Sequence, residues 1–420
     1  MSLESGASWR SRLVTAVVER WGISRSLAIL SVSQAGASFG AGLIIPLLAP
    51  LVAGVESPMV PATVAGIRVT QEVQVGVFFA VFGVVRSAVQ LPMGHFSDRI
   101  GARKPFVEAG LLVTAGVIYA YGITGSLGVL LSVRALHGVA LAISTPALMA
   151  LLERLTVGES RGSAMGFFSS LRTLGWGVAP IVGGAVADVY GLQATFTLGA
   201  VLIVAMVVVI RVGVPDVSTA VDEPDEDTIA VDSGRVFSSW SQARSFCGLV
   251  VAVITVMIGV SAVISMEMPI LERIGGSKAS FGLVFAITTI TRLVVQIPVG
   301  RATDRYGRMV FIAAGLFLSA PLVALMGFAQ TLWGFVALRA LLGVALAGVI
   351  APVYALAADL ADAGRTGLQM GFVTTAFSIG FAVGPVVTGV LSTVGFAVPF
   401  VVTGGATAVA GVCVVVLVDG

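Results

Sequence analysis

Glu267 is the clear carboxylate within the apolar stretches of this sequence, and its position suits proton chemistry. An ionisable side chain inside a membrane span is expensive to bury, so it is a functional candidate by default. A carboxyl group removed from water favours its neutral form and can then carry a proton. Because Glu267 stands near one end of its apolar stretch, the alternatives are that it reaches the membrane interface or pairs with Arg273.

The other charges within apolar stretches are all cations, namely Arg86, Arg134, Arg172, Arg292 and Arg339. Of these, Arg86 and Arg292 can snorkel toward a membrane surface or pair structurally. An excess of cations over acids predicts a positive cavity, which leaves anionic or amphiphilic substrates open. The predicted cavity residues are Arg134, Arg172, Arg339, Gln34, Phe39, Trp176, Phe285 and Phe377, although single aromatic residues in a bundle also serve for helix packing.

His137 follows Arg134 at helical spacing, so the two side chains lie on the same face of a helix. A neighbouring guanidinium would make a protonated imidazole lose its proton easily. Glu267, His137 and Arg134 are therefore the predicted proton-coupling residues. The alternative for His137 is a neutral side chain that makes a hydrogen bond between helices.

The composition requires a lipid environment around these charges. Of 420 residues, 57% are hydrophobic and 11% are charged, against about 25% charged residues in soluble domains. The apolar runs have the length of helices that cross a bilayer. Twelve spans are predicted, at 27–52, 71–93, 105–124, 127–150, 163–186, 191–211, 246–271, 279–300, 309–328, 331–357, 367–391 and 396–418.

The distribution of cations predicts how the spans are oriented. The segments on one side carry most of the arginines, whereas those on the other side hold only Arg68, Arg273 and Lys278. By the positive-inside rule, both termini face the cytoplasm, and the expected location is the cell membrane. Residues 1–26 lack the pattern of a cleavable signal peptide and are predicted to be a cytoplasmic lead-in.

An acidic run, VDEPDEDTIAVDSG, divides the chain into two halves. It predicts a solvated linker at 212–245 between bundles of six helices at 27–211 and 246–420. A calcium site is a poor alternative, because the acids lack the glycine and the spacing of an EF-hand loop. No metal site, cofactor motif, nucleic-acid patch or catalytic constellation is found, so no enzyme is predicted.

A charged turn occurs twice, half a chain apart. The stretch RSAVQLPMGHFSDRIGARK returns as RLVVQIPVGRATDRYGRM. Such a repeat is what duplication of a membrane bundle leaves behind. The turn residues stand in the same order in both copies, as Gly94, Asp98, Arg99 and Gly101 and again as Gly300, Asp304, Arg305 and Gly307.

A second repeat consists of glycines around a proline, in the fifth and eleventh spans. Glycines at these spacings form a groove for a neighbouring helix, and the proline removes one backbone hydrogen bond. They are predicted to form a hinge or a seal between the halves, with plain packing as the alternative. The members are Gly175, Pro180 and Gly184 in the fifth span, and Gly380, Pro385 and Gly389 in the eleventh.

These motifs together resemble those of the major facilitator superfamily of transporters. The charged turn is similar to the loop signature between the second and third helices of that superfamily. Arg134 and Gly138 recur in the tenth span as Arg339 and Gly343. They resemble the fourth-helix signature of its proton-linked members, with His137 in place of the usual glutamine. The glycine pattern resembles the antiporter signature of its drug-exporting branch, with Ala179 in place of one glycine.

The resemblance implies an all-α fold of two pseudo-symmetric six-helix bundles and a gate built on the charged turn. Asp98 would face the start of the eleventh span, where the helix dipole favours an anion. Arg103 would pair with Glu153. In the second half, Asp304 and Arg308 would lie in the same way against the fifth helix and Asp359.

The implied function is secondary transport by alternating access, with protons coupled to export of small lipophilic or amphiphilic compounds. A monomer with a small-molecule substrate and no cofactor is expected. One alternative is an uptake system or uniporter for a small anionic metabolite. The other is a receptor or scaffold with a transporter fold, which would not need two copies of the gating turn.

Overall fold

The computed structural model describes residues 24–55, 63–64, 66–100, 103–155, 161–215, 236–362 and 366–418. A short ladder pairs β1 (Thr63–Val64) with β2 (Ile67–Arg68). The helices are α1 (Arg25–Gly42), α2 (Leu48–Gly54), α3 (Gln71–Ile100), α4 (Arg103–Tyr121), α5 (Leu127–Arg154), α6 (Arg161–Gly213), α7 (Trp240–Ser265), α8 (Glu267–Ile274), α9 (Lys278–Tyr306), α10 (Arg308–Met326), α11 (Leu332–Ala347), α12 (Ile350–Leu360), α13 (Thr366–Ser392) and α14 (Val398–Leu417).

Helix α6 covers two predicted spans, because the chain reverses at Gly191. A straight helix of 53 residues would be about 80 Å long, far more than a bilayer is thick. Gly191 has φ 83°, a left-handed conformation that glycine adopts without strain. The arm before Gly191 packs parallel to α1 and the arm after it packs antiparallel to α1, so α1 contacts both arms.

Three predicted spans are interrupted in the structure. The first is split by a 3-10 turn at Ile45–Leu47, where Pro46 has no N–H to continue the helix. The span predicted at 246–271 breaks at Met266, and the one at 331–357 breaks between α11 and α12. Helix α4 stops at Tyr121, before the predicted end at 124. The predicted spans run without a break at places where the structure interrupts the helix. Hydropathy indicates that a segment is apolar enough for lipid, but not where the backbone hydrogen bonds of its helix are interrupted.

Ten segments of the described chain are long and apolar enough to cross a membrane. One of them is the bent α6, which supplies two crossings. Helix α4 is absent from that set because its first turns carry Arg103, Lys104 and Glu108. Together these segments account for the twelve predicted spans, so the prediction of an all-α polytopic membrane protein is confirmed.

We name the two ends of the helical bundle by the chain segments that lie there. The linker end is the end where residues 215 and 236 flank the predicted linker, most of which lies outside the described residues. The far end carries the connections into α3 and α9. Helix α7 begins at Trp240, within the range predicted as linker. The predicted domain boundaries stay a prediction.

A polar network fixes the start of the second half at the linker end. Gln369 donates to Oδ2 of Asp362 and to the Val236 carbonyl oxygen, both at 3.0 Å. Gln242 donates to the Leu360 carbonyl oxygen at 2.7 Å. The hydrogen bond from Gln369 lowers the pKa of Asp362 below its ordinary value, because it stabilises the carboxylate.

Candidate functional site

The two halves are joined at the far end by Asp188, near the end of the first arm of α6. Its carboxylate accepts hydrogen bonds from the backbone N–H groups of Lys278, at 3.2 Å, and Ala279, at 3.0 Å. The Lys278 ammonium group lies 3.7 Å from the same carboxylate. Asp188 therefore caps the N-terminus of α9 from the opposite half, where the helix dipole favours an anion.

Glycines let the backbones of the two halves touch at this end. A β-carbon added at Gly389 of α13 would lie 2.5 Å from the Glu72 carbonyl oxygen of α3. A β-carbon at Gly184 of α6 would collide with the backbone at Lys278, and one at Gly282 of α9 with the carbonyl group of Pro180. Any larger residue would force the halves apart. The far end is closed.

Contact between the halves stops near the middle of the bundle. On one side, the last close pair is Gly177 of α6 with Thr289 of α9, where an added β-carbon would lie 2.7 Å from the threonine methyl group. On the other side, Gly83 of α3 meets Ala382 of α13. Nearer the linker end, added β-carbons at Gly166, Gly300 and Gly371 would meet no described atom within 4 Å. A vestibule therefore opens toward the linker end.

One stripe of α6 lines this vestibule. Met165, Ser169, Arg172 and Trp176 follow each other at helical spacing, and all four are exposed. Gly177, the residue after Trp176, meets Thr289 of the other half, and the charge of Arg172 acts on Arg86 of α3. The stripe therefore borders the vestibule.

Arg86 of α3 and Arg292 of α9 point into the bundle rather than toward lipid. Arg86 lies on the helix side that carries buried Phe79, and Arg292 on the side that carries buried Phe285. The opposite sides carry strongly exposed valines, Val84 and Val294. Both arginines stand halfway along helices of 30 and 29 residues. At about 1.5 Å per residue they are too far from either end to snorkel.

Arg134 of α5 is buried against aromatic rings. Its guanidinium carbon lies 4.6, 4.8 and 4.5 Å from the ring centroids of Phe78, Phe79 and Phe82. Its Nη1 donates to the Tyr121 hydroxyl at 3.4 Å. Ring faces attract a cation at these distances, and the attraction grows when the cation is desolvated.

The Tyr121 hydroxyl continues this chain to His137, whose Nδ1 lies 3.1 Å away. Because the hydroxyl accepts from Arg134, its own proton is available for Nδ1, and the histidine proton then stands on Nε2. The Nε2 atom has no hydrogen-bond partner among the described residues. The contact joins α4 to α5, with His137 as the acceptor rather than the donor that the alternative interpretation expected. Its role in proton coupling stays a prediction.

Arg339 of α11, which matches Arg134 in the repeat, is held by backbone carbonyl groups. Its Nε donates to the Val284 oxygen at 3.1 Å and its Nη1 to the Val260 oxygen at 3.4 Å. Thr288 donates in turn to the Arg339 carbonyl oxygen at 3.0 Å. Arg339 thus ties α11 to α7 and α9, and in this conformation its side chain is fully buried.

Glu267 is also fully buried, at the first residue of α8. Neither carboxyl oxygen makes a hydrogen bond to a described residue. The backbone N–H of Ala49 lies near the carboxyl group without normal hydrogen-bond geometry, and Lys278 is the neighbouring charge. Arg273 instead donates to the Ala329 carbonyl oxygen at 3.0 Å. The pair with Arg273 is therefore not formed, and the position of Glu267 at the membrane interface stays a prediction.

Comparison with known proteins identifies the family. The sequence profile of the Major Facilitator Superfamily matches residues 30–273 and 249–419. The chain belongs to this superfamily. It is therefore a multi-pass membrane transporter with a small-molecule substrate, and its fold of two bundles is confirmed.

Relatives of this facilitator include drug-resistance proteins. An uncharacterized transporter of the superfamily from Methanocaldococcus jannaschii is 23% identical over 89% of this chain and 92% of its own. Multidrug resistance protein MdtG from Proteus mirabilis is 28% identical over 64% and 67%. A bacterial homologue of the human lysosomal transporter Spinster, solved in an inward-facing and unoccupied conformation, aligns over 98% and 96% with a TM-score of 0.68 at 14% identity.

The gating turns of the facilitator are described in part. Gly101 and the side chains of Asp98 and Arg99 lie outside the described residues, and Gly94 is described only as part of the backbone of α3. In the second copy, Arg308 pairs with Asp359, beside a cleft of about 490 Å³ that Asp304 and Gly307 also line. Gly307 has φ 93° and ends α9. Arg103 and Glu153 stand at the linker ends of α4 and α5, and Arg305 lies over the ring of Tyr306. The gating role stays a prediction.

The remaining predicted cavity and hinge residues divide by position. Gln34 and Phe285 are buried in this conformation, whereas Phe39 and Phe377 are half-buried. Gly175 and Gly380 pack within a half, against α1 and α7, while Gly184 and Gly389 pack across the halves. Pro180 and Pro385 stand inside their helices beside these contacts.

Sequence reasoning missed Asp188, Lys278 and Tyr121. Asp188 is an acid just beyond the glycine pattern, and Lys278 is one of the few cations on its side of the chain, so opposite charges at the same end were a usable signal. No such signal marks Tyr121, because a tyrosine at the end of a span is typical of any membrane interface.

Proposed function

We propose that this facilitator is a secondary active transporter that works by alternating access and exports small lipophilic or amphiphilic compounds in exchange for protons. The observation that carries the proposal is the contrast between the closed far end and the vestibule open to the linker end. With the orientation predicted from the arginines, this is an inward-facing state. Export would then proceed by opening the seam at Asp188 and closing the vestibule.

Glu267 is the proposed proton carrier. It belongs to the second half, but it is buried beside Ala49 of the first, so the seam between the halves covers it. A buried carboxyl group without hydrogen bonds is far cheaper to keep neutral than charged. We therefore assign the proton-loaded form to this conformation. The proton would be taken up when the far end is open and given up before the next substrate leaves.

Lys278 couples this proton to the seam. Its ammonium group pairs with Asp188, and its charge also acts on Glu267. When Glu267 loses its proton, a second carboxylate competes for the same ammonium group, which weakens the bond between the halves. Loss of the proton thus favours opening of the far end, as exchange of a proton for a substrate requires.

The test is Glu267→Gln in proteoliposomes that contain a pH-sensitive dye. Neutral, cationic and anionic lipophilic compounds are added one at a time, and the internal pH is followed. The wild-type protein should move protons in response to at least one compound. Glu267→Gln should move none, yet still exchange that compound, radiolabelled, across the membrane. Glutamine keeps the size of the side chain but cannot carry a proton.

The matched control is Glu272→Gln, because Glu272 is exposed and lies one turn further along the same short helix. It should behave as the wild type. Proton movement that persists in Glu267→Gln removes Glu267 from the coupling mechanism. If no compound moves protons through the wild-type protein, proton-coupled export is wrong.

A further inference from the structure

The floor of the vestibule carries a layer of three arginines. Helices α6 and α9 run antiparallel, with Gly184 beside Lys278 and Gly177 beside Thr289. Continuing this register toward the linker end brings Arg172 level with Arg292, just past the last contact between the halves. Arg86 lies near enough to Arg172 for the two charges to repel each other.

None of the three arginines has a hydrogen-bond or ion-pair partner among the described residues. No described side chain or carbonyl group accepts a hydrogen bond from Arg86, Arg172 or Arg292, and Arg292 has its Nε buried without one. The described acids all stand toward the two ends of the bundle, at Glu72, Glu108, Glu153, Asp188, Glu267, Glu272, Asp304, Asp359 and Asp362. The middle of the described bundle therefore carries positive charge without a counter-ion.

Unneutralised cations within a bundle are costly. Arg134 and Arg339 show two ways in which this fold stabilises a buried guanidinium. Ring faces contact Arg134, and backbone carbonyl groups accept hydrogen bonds from Arg339. Among the described residues, Arg172 and Arg292 have neither kind of partner, and Arg86 has only the Phe82 ring, whose centroid lies 6.0 Å from its guanidinium carbon. An anion in the vestibule would relieve their repulsion and accept their hydrogen bonds, and arginine is the side chain whose fork of donors best fits an oxyanion.

The three arginines stand on α3, α6 and α9, and the wall of the vestibule that α13 forms is apolar. Helix α13 repeats the first arm of α6, with Gly380 in the place of Gly175, and this match puts Phe377 in the place of Arg172. Phe381 and Trp176 stand one turn nearer the far end on the same faces of α13 and α6. Cations on three helices thus oppose aromatic side chains, an arrangement that suits a ligand with one charged and one apolar side.

We infer that the vestibule floor binds organic anions that join an oxyanion group, such as a sulfonate or carboxylate, to an aromatic or apolar body. Arg86, Arg172 and Arg292 hold the oxyanion, and Trp176, Phe377 and Phe381 pack against the body. The inference rests on the proposed function, since it names the substrate class that enters the open vestibule. Neutral compounds of the same shape bind less well.

The probes are naphthalene-2-sulfonate and the neutral naphthalene-2-sulfonamide, which have nearly the same size. Binding is measured by calorimetry on the full-length protein in nanodiscs of neutral lipid, at several salt concentrations and without a pH gradient. The sulfonate should bind roughly tenfold or more tightly than the sulfonamide, and this preference should fall as salt rises. Arg172→Gln and Arg292→Gln should each reduce sulfonate affinity by roughly tenfold while leaving the sulfonamide unchanged.

Arg301→Gln is the control, because Arg301 is an exposed arginine on the side of α9 that faces away from the vestibule. It should bind both probes as the wild type does. The variants should stay folded, and without probe their melting temperatures should equal or exceed that of the wild type, because a repelling charge is gone. A drop in melting temperature in both variants would mark the arginines as structural and overturn the inference.

Equal affinity for the two probes in the wild-type protein, no binding of either probe, or sulfonate affinity unchanged in Arg172→Gln and Arg292→Gln would each overturn the inference as well. The experiment uses no gradient, so it is independent of Glu267. Selective sulfonate binding with no proton movement would refute the coupling alone. Proton-linked transport of neutral compounds only would refute the substrate class alone.

Discussion

Arg134 and Arg339 hold matching places in the two halves, yet the structure stabilises them in different ways. Arg339 donates to carbonyl oxygens of two neighbouring helices, whereas Arg134 lies against three phenyl rings and a tyrosine hydroxyl. Carbonyl groups of helices are fixed in place and do not titrate. The aromatic site instead continues through Tyr121 to His137, a group that can change charge. Both halves keep the cation and its burial, and among the described residues the hydrogen-bonded chain to a histidine is found beside Arg134.

The strongest way to break this comparison is to remove each side chain. Arg339→Ala should lower the free energy of unfolding by about 3 kcal/mol, because charged hydrogen bonds are lost and a cavity is left. Arg134→Ala should cost less stability but eliminate transport. Thermal unfolding in nanodiscs and proteoliposome flux measure the two effects, with exposed Arg301→Ala as the reference. Equal loss of stability at the two positions would mean that ring faces and carbonyl groups stabilise the guanidinium to the same extent.

Replacement by lysine sharpens the comparison. An ammonium group is still attracted by ring faces, but it cannot reproduce the planar fork that reaches two carbonyl oxygens. Arg339→Lys should therefore lose about 2 kcal/mol of stability and Arg134→Lys about 1 kcal/mol, with part of the transport activity retained in the second. Thermal unfolding in nanodiscs measures which of the two lysine variants loses more stability. If Arg134→Lys is the less stable variant, the rings are not what holds Arg134.

The smallest expected effect tests the link to His137. Tyr121→Phe should cost about 1 kcal/mol, and so should His137→Gln. Because both changes break the same hydrogen bond, the double variant should cost less than the two together by at least 0.5 kcal/mol or so. Additive losses would show that the hydroxyl does not join Arg134 to the histidine.

The sequence predicted the membrane class, the twelve crossings and the equivalence of Arg134 with Arg339, because hydropathy and repeats are properties of the chain order. It did not predict the partners of either arginine. Those depend on which face of α3 or α9 meets α5 or α11, a matter of packing between distant segments. The seam was also missed, since Asp188 and Lys278 are far apart in the chain and meet only when the halves are assembled.

The glycine seam at the far end bears on the speed of the transport cycle. Where Gly184, Gly282 and Gly389 meet backbone of the opposite half, no side chain has to be ordered each time the halves close. Glycine has no rotamer entropy to lose, so repeated closure costs little beyond the removal of water. The resistance to opening is then concentrated in the contacts of Asp188 with α9, which water can replace one at a time. In the proposed cycle, the rate of opening should follow hydration of these Asp188 contacts rather than repacking of the bundle.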